Sequence, residues 1–199
     1  MSPLLFCSIK PLILASASPR RREMLASLGM DFQVACADID ESVLAGEGAG
    51  EHVVRLARAK ALAVAEAELS SWVIAADTVV VVDDEILGKP AGEEEARAML
   101  ARLSGRSHQV WTGFALGRLG AVSARAVMSE VTFIELSPSL VAAYVKSGEP
   151  LDKAGAYGIQ GLASSFVSRI SGSYSNVVGL PLAEVVSELL AAGIIVPAS

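Results

Sequence analysis

The run WVIAADTVVVV, residues 72–82, is the most apolar stretch of the chain and restricts its fold more than any other. Its two halves, residues 72–76 and 78–82, form one β-branched run and so predict a strand. The run is too short to cross a bilayer as a helix. Asp77 interrupts it with apolar neighbours on both sides. A carboxylate in that setting is costly to bury unless it meets a cation, a metal or a set of donors. Asp77 is therefore a candidate general base or metal ligand. The plainer alternative is a strand-end Asp making a turn bond.

The surrounding pattern alternates strands and helices. Residues 12–15 predict a short buried strand. A helix follows, with Ser18 as N-cap, Pro19 in the first position and Gly29 as the stop. Residues 32–35 predict a second strand, and ADIDESVLAGEGAG a polar loop carrying Asp38, Asp40 and Glu41. An Ala-rich helix is expected over residues 51–68. Asp83 and Asp84 mark a turn from which residues 85–87 return as a hairpin. Gly92 and Gly105 bound a further helix whose first turn is acidic. Residues 107–119 and 121–136, around Gly120, predict an antiparallel pair. Ser137 and Pro138 open a short helix to about Ser147. A Gly-rich loop, a strand over residues 166–170 and a closing helix over 179–193 complete the chain. Strands and helices mixed with antiparallel pairing imply an α/β fold around a mixed sheet. No repeat or interdomain linker interrupts the 199 residues, a length that suits one domain of two lobes.

Composition narrows the function. With 22 acidic residues against 16 Lys and Arg, the net charge is -6. That balance argues against a generic nucleic-acid binder, which presents a basic face. A basic cluster inside an acidic chain points instead to a small anionic ligand. Cys7 and Cys36 form neither a disulfide framework nor a metal-site spacing and are expected to be buried free thiols. The N-terminus lacks the basic region of a signal peptide, and Lys10 with Pro11 breaks its apolar run. A cytoplasmic chain with no membrane association is expected.

The basic cluster is SPRRR, residues 18–22. Pro19 at the first helical position puts Arg20 and Arg21 on the opening turn, where backbone N–H groups lack partners and the helix dipole opposes cations. Together with Ser16 and Ser18 these groups predict an anion cradle of the kind that binds phosphate. The alternative is three solvated arginines eased by Glu23. Lys60 breaks an apolar stripe made by Val53, Leu56 and Val64 on the long helix; it is either functional or a lysine snorkelling from the stripe edge. Arg55 and Arg58 fall elsewhere and are expected in solvent. Lys89 lies in LGKP, a tight strand-to-helix loop. In EPLDKAGAYGIQG, Gly155, Gly158 and Gly161 recur every three residues and allow close approach to a ligand. Asp152, Lys153 and Gln160 are the polar groups there, and Gln160 suits the edge of a base. Turn glycines are the plainer reading. There is no P-loop, nucleophile elbow or dinucleotide fingerprint. His52 and His108 have no motif around them.

LASASPRRREML, AADTVV, LGKP, LSGRSHQV, LDKAGAYGIQG and NVVGLPL resemble, in order and over essentially the whole chain, the Maf family of nucleoside triphosphate pyrophosphatases. Residues 1–8 lie outside the resemblance as a short N-terminal extension to a single domain. The resemblance implies an elongated α/β fold with two lobes around a deep cleft, similar to the inosine triphosphatase class. It also implies cleavage of the α–β phosphoanhydride of a nucleoside triphosphate, with a divalent metal, Mg2+ or Mn2+, required. AYGIQG resembles the branch acting on dTTP and UTP. On the matching positions Asp77 activates water and, with Glu41, holds the metal. Ser16, Arg20, Arg21, Lys60 and Lys89 grip the triphosphate. Arg20, Thr78 and Gln160 match positions linked to base selection, and Asp152 and Lys153 order the site. Four cations and one metal would offset the roughly four charges of a triphosphate. Arg22 has no counterpart and is expected in solvent.

The alternative within enzymes is the same chemistry on 7-methyl-GTP or inosine triphosphate. A different class is a nucleotide-binding regulator of division or septum formation. A homodimer is compatible with either, although no exposed apolar surface can be read from the sequence.

Overall fold

A computed structural model describes residues 5–198. The strands are β1 (Phe6–Ser8), β2 (Leu12–Ala15), β3 (Gln33–Ala35), β4 (Trp72–Val82), β5 (Glu85–Leu87), β6 (Ser107–Arg118), β7 (Ala121–Phe133), β8 (Val167–Ser171) and β9 (Ile195–Pro197). The helices are α1 (Pro19–Ser27), α2 (Ala49–Ala67), α3 (Glu93–Leu103), α4 (Pro138–Lys146), α5 (Tyr174–Val178) and α6 (Leu182–Ala191). Short 3-10 turns, Glu149–Asp152, Ala154–Ala156 and Leu162–Phe166, lie between α4 and β8. Hydrogen bonding orders the main sheet β3-β2-β4-β6-β7-β8, with β5 on β4, and pairs β1 with β9 separately. β2 runs parallel to β3 and β4, whereas β5 opposes β4 and β8 opposes β7. This is the mixed α/β sheet with flanking helices that the sequence pattern predicts.

Contacts group the chain into two compact units. One comprises the chain up to Asp77, Thr112–Val127 and the chain from Gly179; the other comprises Thr78–Trp111 and Met128–Val178.

In the first unit β2 and β4 are buried on both faces, and alternation sorts their side chains. Leu12, Leu14, Ile74 and Ala76 pack with Leu25, Phe114, Leu180 and Leu189. Ile13, Ala15, Val73 and Ala75 pack with Ala57, Ala61, Val64 and Ala65 of α2. The small α2 face allows a close approach, and Gly113 on β6 makes it closer: a Cβ there would stand 2.2 Å from the Val53 carbonyl oxygen. Residues 6–8, expected to be a mere extension, form β1, with Phe6 opposite Pro197 and Ser8 opposite Ile195. Cys7 on β1 and Cys36 just after β3 are exposed, not buried, because both lie on segments at the margin of their sheets.

In the second unit an aromatic cluster fills the core. His108, Phe133 and Tyr157 meet edge to face, Phe166 joins them through Phe133, and Tyr144 packs on Phe166. Asp83 and Asp84 adopt left-handed conformations (φ 53° and 59°). Two such residues in succession give the turn that suits the twist of a hairpin, here between β4 and β5.

Other boundaries move for local reasons. β7 stops at Phe133, not at 136, because the Ile134 N–H turns to the Phe166 carbonyl at 2.8 Å. The closing helix, α6, starts at Leu182 and not at 179, since Gly179 (φ 126°) and Pro181 keep its first residues out of the helix, and the short α5 before it was not expected. α2 starts two residues earlier than expected, where the Glu51 carboxylate accepts the Gly48 N–H at 3.1 Å. Ser137 caps α4 by accepting the Leu140 N–H, but the Ser18 side chain makes no such bond to α1.

Candidate active site

Asp77 is the sixth of eleven residues in β4 and so is not a strand-end turn residue. Its Oδ1 lies 2.7 Å from the Lys60 ammonium. The same ammonium meets Glu41 Oε1 at 2.5 Å. Asp77 and Lys60 have side chains only 13% and 14% exposed, while Glu41 reaches in from the loop with 55% exposure. Lys60 is therefore no snorkelling lysine: it turns inward and bridges two carboxylates. The low exposure strengthens this attraction relative to a surface pair. A lysine in an apolar stripe and an acid in an apolar strand are each costly alone, and each supplies what the other lacks.

Ser16 follows β2 directly and is buried. Its Oγ accepts from the Ser18 N–H at 3.3 Å and from Arg21 Nη1 at 3.0 Å. Arg21 also binds the protein's own backbone. Its Nε donates to the Gly179 carbonyl at 2.7 Å and its Nη1 to the Ala76 carbonyl at 2.8 Å. These donors tie the start of α1 to the residue before Asp77. They bind the protein's own backbone at the middle of β4 and at the turn between α5 and α6. Burial lowers the guanidinium pKa, and the nearby Asp77 charge counters that shift. Arg20 is half-buried on the same turn, and Arg22 is exposed as expected.

In the second unit Thr78 is half-buried, and Lys89 and Gln160 are exposed. Lys153 Nζ donates to the Glu149 carbonyl at 2.7 Å and to Asp152 Oδ1 at 2.6 Å. The missing side chains of the three glycines make room for the protein itself. A Cβ on Gly155 would stand 2.8 Å from Val80, one on Gly158 2.6 Å from the Lys153 chain, and one on Gly161 would overlap the Glu149 carboxylate. That carboxylate accepts from Tyr144 Oη at 2.9 Å and from the Leu162 N–H at 3.0 Å. Tyr144 Oη also accepts the Gly158 N–H at 3.2 Å. Glu149 thus fastens the Gly-rich segment that carries Gln160. The sequence singled out neither Glu149 nor Tyr144.

Arg55 is corrected too. It is not in solvent: its Nε and Nη2 grip both oxygens of Glu47 at 2.5 and 2.7 Å, and Nη2 reaches the Ser42 carbonyl at 2.9 Å. Glu47 Oε2 also lies 2.9 Å from His52 Nδ1. The bidentate Arg55 contact holds the Glu47 pKa down at about 2. His108 is structural, with Nε2 2.8 Å from Tyr157 Oη, and burial pushes its pKa down to about 4.

Among the described residues no group of three or more His, Cys, Asp or Glu side chains gathers at one point, and no helix is long and apolar enough to cross a membrane.

A family model described as Maf-like protein matches residues 11–192. The chain is 55% identical to a dTTP/UTP pyrophosphatase of Myxococcus xanthus, covering 94% of each chain. It is 54% identical to a dTTP/UTP pyrophosphatase of Hahella chejuensis, covering 92% of each. It is 50% identical to one of Desulfotalea psychrophila, covering 91% of this chain and 94% of that one. A solved structure titled as the Ham1 protein of Staphylococcus aureus aligns over 92% of this chain and all of that one, at 13% identity and a TM-score of 0.48.

Proposed function

Because the chain belongs to the Maf-like protein family, we propose that it is a nucleoside triphosphate pyrophosphatase. Its substrates are dTTP and UTP, and with them modified pyrimidine triphosphates, which it removes from the nucleotide pool. The reading is supported by the 50–55% identity to dTTP/UTP pyrophosphatases over nearly the whole chain. The observation that carries the chemistry is the Asp77–Lys60–Glu41 arrangement, with one ammonium 2.7 and 2.5 Å from two carboxylates.

The donor set suits a divalent cation. Glu41 and Asp77 already direct carboxylate oxygens at one positive charge. Two carboxylates completed by phosphate and water oxygens are a usual environment for Mg2+ or Mn2+. Bound there, the metal would polarise the α-phosphate and offset its charge.

In this mechanism water attacks the α-phosphorus and Asp77 accepts its proton. The bond from the α-phosphorus to the bridging oxygen breaks, leaving the nucleoside monophosphate and pyrophosphate. Ser16, Arg20, Lys60 and Lys89 bind the triphosphate, and their charges are aimed at the negative charge growing on pyrophosphate. Arg21 acts chiefly by holding Ala76, and with it Asp77, in place. Arg20, Thr78 and Gln160 meet the base, while Asp152 and Lys153 order the Gly-rich segment. A cytoplasmic setting without membrane or nucleic-acid partners belongs to the same reading, and the net charge of -6 argues against a nucleic-acid partner.

The test is a panel of dTTP, UTP, inosine triphosphate and 7-methyl-GTP with Mg2+ or Mn2+, read as phosphate after added inorganic pyrophosphatase. Turnover fastest with dTTP and UTP is expected. Faster turnover of either purine would overturn the substrate assignment, and no turnover of any would overturn the enzyme reading.

A further inference from the structure

Residues 36–48, between β3 and α2, form no regular element, yet they carry Glu41. A loop of that length does not hold a carboxylate in one place unless side chains fix its backbone. Arg55 on α2 does so at two points. Nη2 binds the carbonyl of Ser42, the residue after Glu41, at 2.9 Å. Nε and Nη2 form a fork with Glu47 at 2.5 and 2.7 Å, near the other end of the loop. Glu47 in turn accepts the Leu44 N–H at 3.2 Å and meets His52 of α2 at 2.9 Å. Its side chain is 8% exposed, an interior anchor on an otherwise open segment. Asp40 accepts the Ser42 N–H at 2.9 Å and tightens the turn around Glu41. The helix that clamps the loop also carries Lys60, the ammonium that Glu41 meets. Clamp and target thus share one rigid element, which sets Glu41 against Lys60 and Asp77.

We infer that Arg55 and Glu47 are positioning residues that aim Glu41 at the divalent cation by fixing the backbone of the loop that carries it. The inference rests on the reading of Glu41 and Asp77 as the metal-holding pair. Groups that orient metal ligands from outside typically change metal affinity by roughly 10- to 100-fold when removed.

The experiment measures Mn2+ affinity of the full chain by electron paramagnetic resonance, with a hydrolysis-resistant α,β-imido analogue of dTTP present. Parent, Glu41→Gln, Arg55→Met and Arg55→Lys are compared. Arg55→Met is expected to weaken Mn2+ binding by roughly 10-fold, in step with Glu41→Gln. Arg55→Lys keeps the charge beside Glu47 but cannot make both loop contacts, and should fall between. In steady state the Arg55 variants should raise the Mn2+ concentration needed for half-maximal rate and leave kcat at saturating Mn2+ within about twofold. That split is one a general loss of structure would not give. Unchanged Mn2+ affinity in Arg55→Met beside a weakened Glu41→Gln overturns the positioning role alone. Unchanged affinity in Glu41→Gln overturns the assignment of Glu41 and the inference with it. Should Arg55→Met not fold, Arg55→Lys decides: weakened Mn2+ binding supports the inference and parent affinity overturns it.

Discussion

Lys60 Nζ and Asp77 Oδ1 form a 2.7 Å ion pair whose two side chains are almost closed to solvent. The lysine comes from a helix and the aspartate from the middle of a strand, and α2 packs directly on the β4 face that precedes Asp77. The pair is placed by packing. It does not depend on the loops.

Asp77→Asn tests the assigned base. The amide keeps the shape and a hydrogen-bonding oxygen for Lys60 but takes no proton from water. Turnover of dTTP should fall by roughly 100- to 10,000-fold, the usual contribution of a positioned base. Binding of the dTTP analogue, followed by calorimetry, should stay within a few-fold of the parent. Parent-like turnover would remove Asp77 from the reaction.

The three arginines should separate into three behaviours. Arg22→Ala, at an exposed position, should leave both Tm and kinetics unchanged. Arg20→Ala should keep Tm and raise KM for the triphosphate about tenfold, a loss of about 1.4 kcal/mol of binding. Arg21→Ala should lower Tm, because the Gly179 and Ala76 carbonyls and Ser16 lose their donor. Leaving such groups unsatisfied costs about 1–3 kcal/mol each when they are shut off from water. Thermal melts beside steady-state kinetics on all three variants check the ordering. An Arg21→Ala variant with the parent Tm would return Arg21 to the role of a plain phosphate ligand.

The resemblance set Arg22 apart, but the division between Arg20 and Arg21 was not legible in the sequence. Successive helical residues point about 100° apart, so one arginine of a run can turn into the protein while the next does not. No spacing rule says which one turns. Asp77 and Lys60 were legible because each breaks an apolar pattern, and a broken pattern is visible without a structure. The strands β2 and β4 were legible as the apolar runs themselves. The Glu47–Arg55 clamp was not: its members stand eight positions apart, and their pairing exists only once the loop has folded back on α2. Glu149 was hidden likewise, since the glycines that make room for it read as glycines around a ligand. The β1–β9 pair joins three-residue segments from opposite ends of the chain, too short for a periodic signal.

Gly155→Ala tests the packing reading of the Gly-rich segment. Gly155 holds φ at +66°, and a Cβ there would press on Val80 at 2.8 Å. The left-handed backbone costs a non-glycine residue about 1–2 kcal/mol, and overpacking adds about 1–3 kcal/mol. A fall in urea midpoint corresponding to at least about 2 kcal/mol is therefore expected. A neutral result would mean that the segment yields easily and that its glycines serve something other than the protein's own packing.

The last prediction concerns acid. Buried His108 holds a pKa of about 4 against an ordinary 6.5, and burial is the cause. Among the described residues its Nδ1 has no hydrogen-bond partner to stabilise a proton there. The unfolded chain takes up that proton near pH 6.5 and the folded chain only near 4. Between those values unfolding is favoured as pH drops, and the contribution lost approaches about 3 kcal/mol. The stability should be fully present above pH 6.5. Glu47 adds a second, lower window: its folded pKa is depressed from 4.5 to about 2, so its contribution is lost as pH falls through that range. Urea melts from about pH 7.5 down to about pH 2.5 should therefore show stability falling first below 6.5. His108→Gln, which offers Tyr157 a partner and does not titrate, should flatten the curve between 6.5 and 4.5 and leave the lower loss intact. A His108→Gln curve that keeps the parent's slope above pH 4.5 would assign that acid sensitivity to another group.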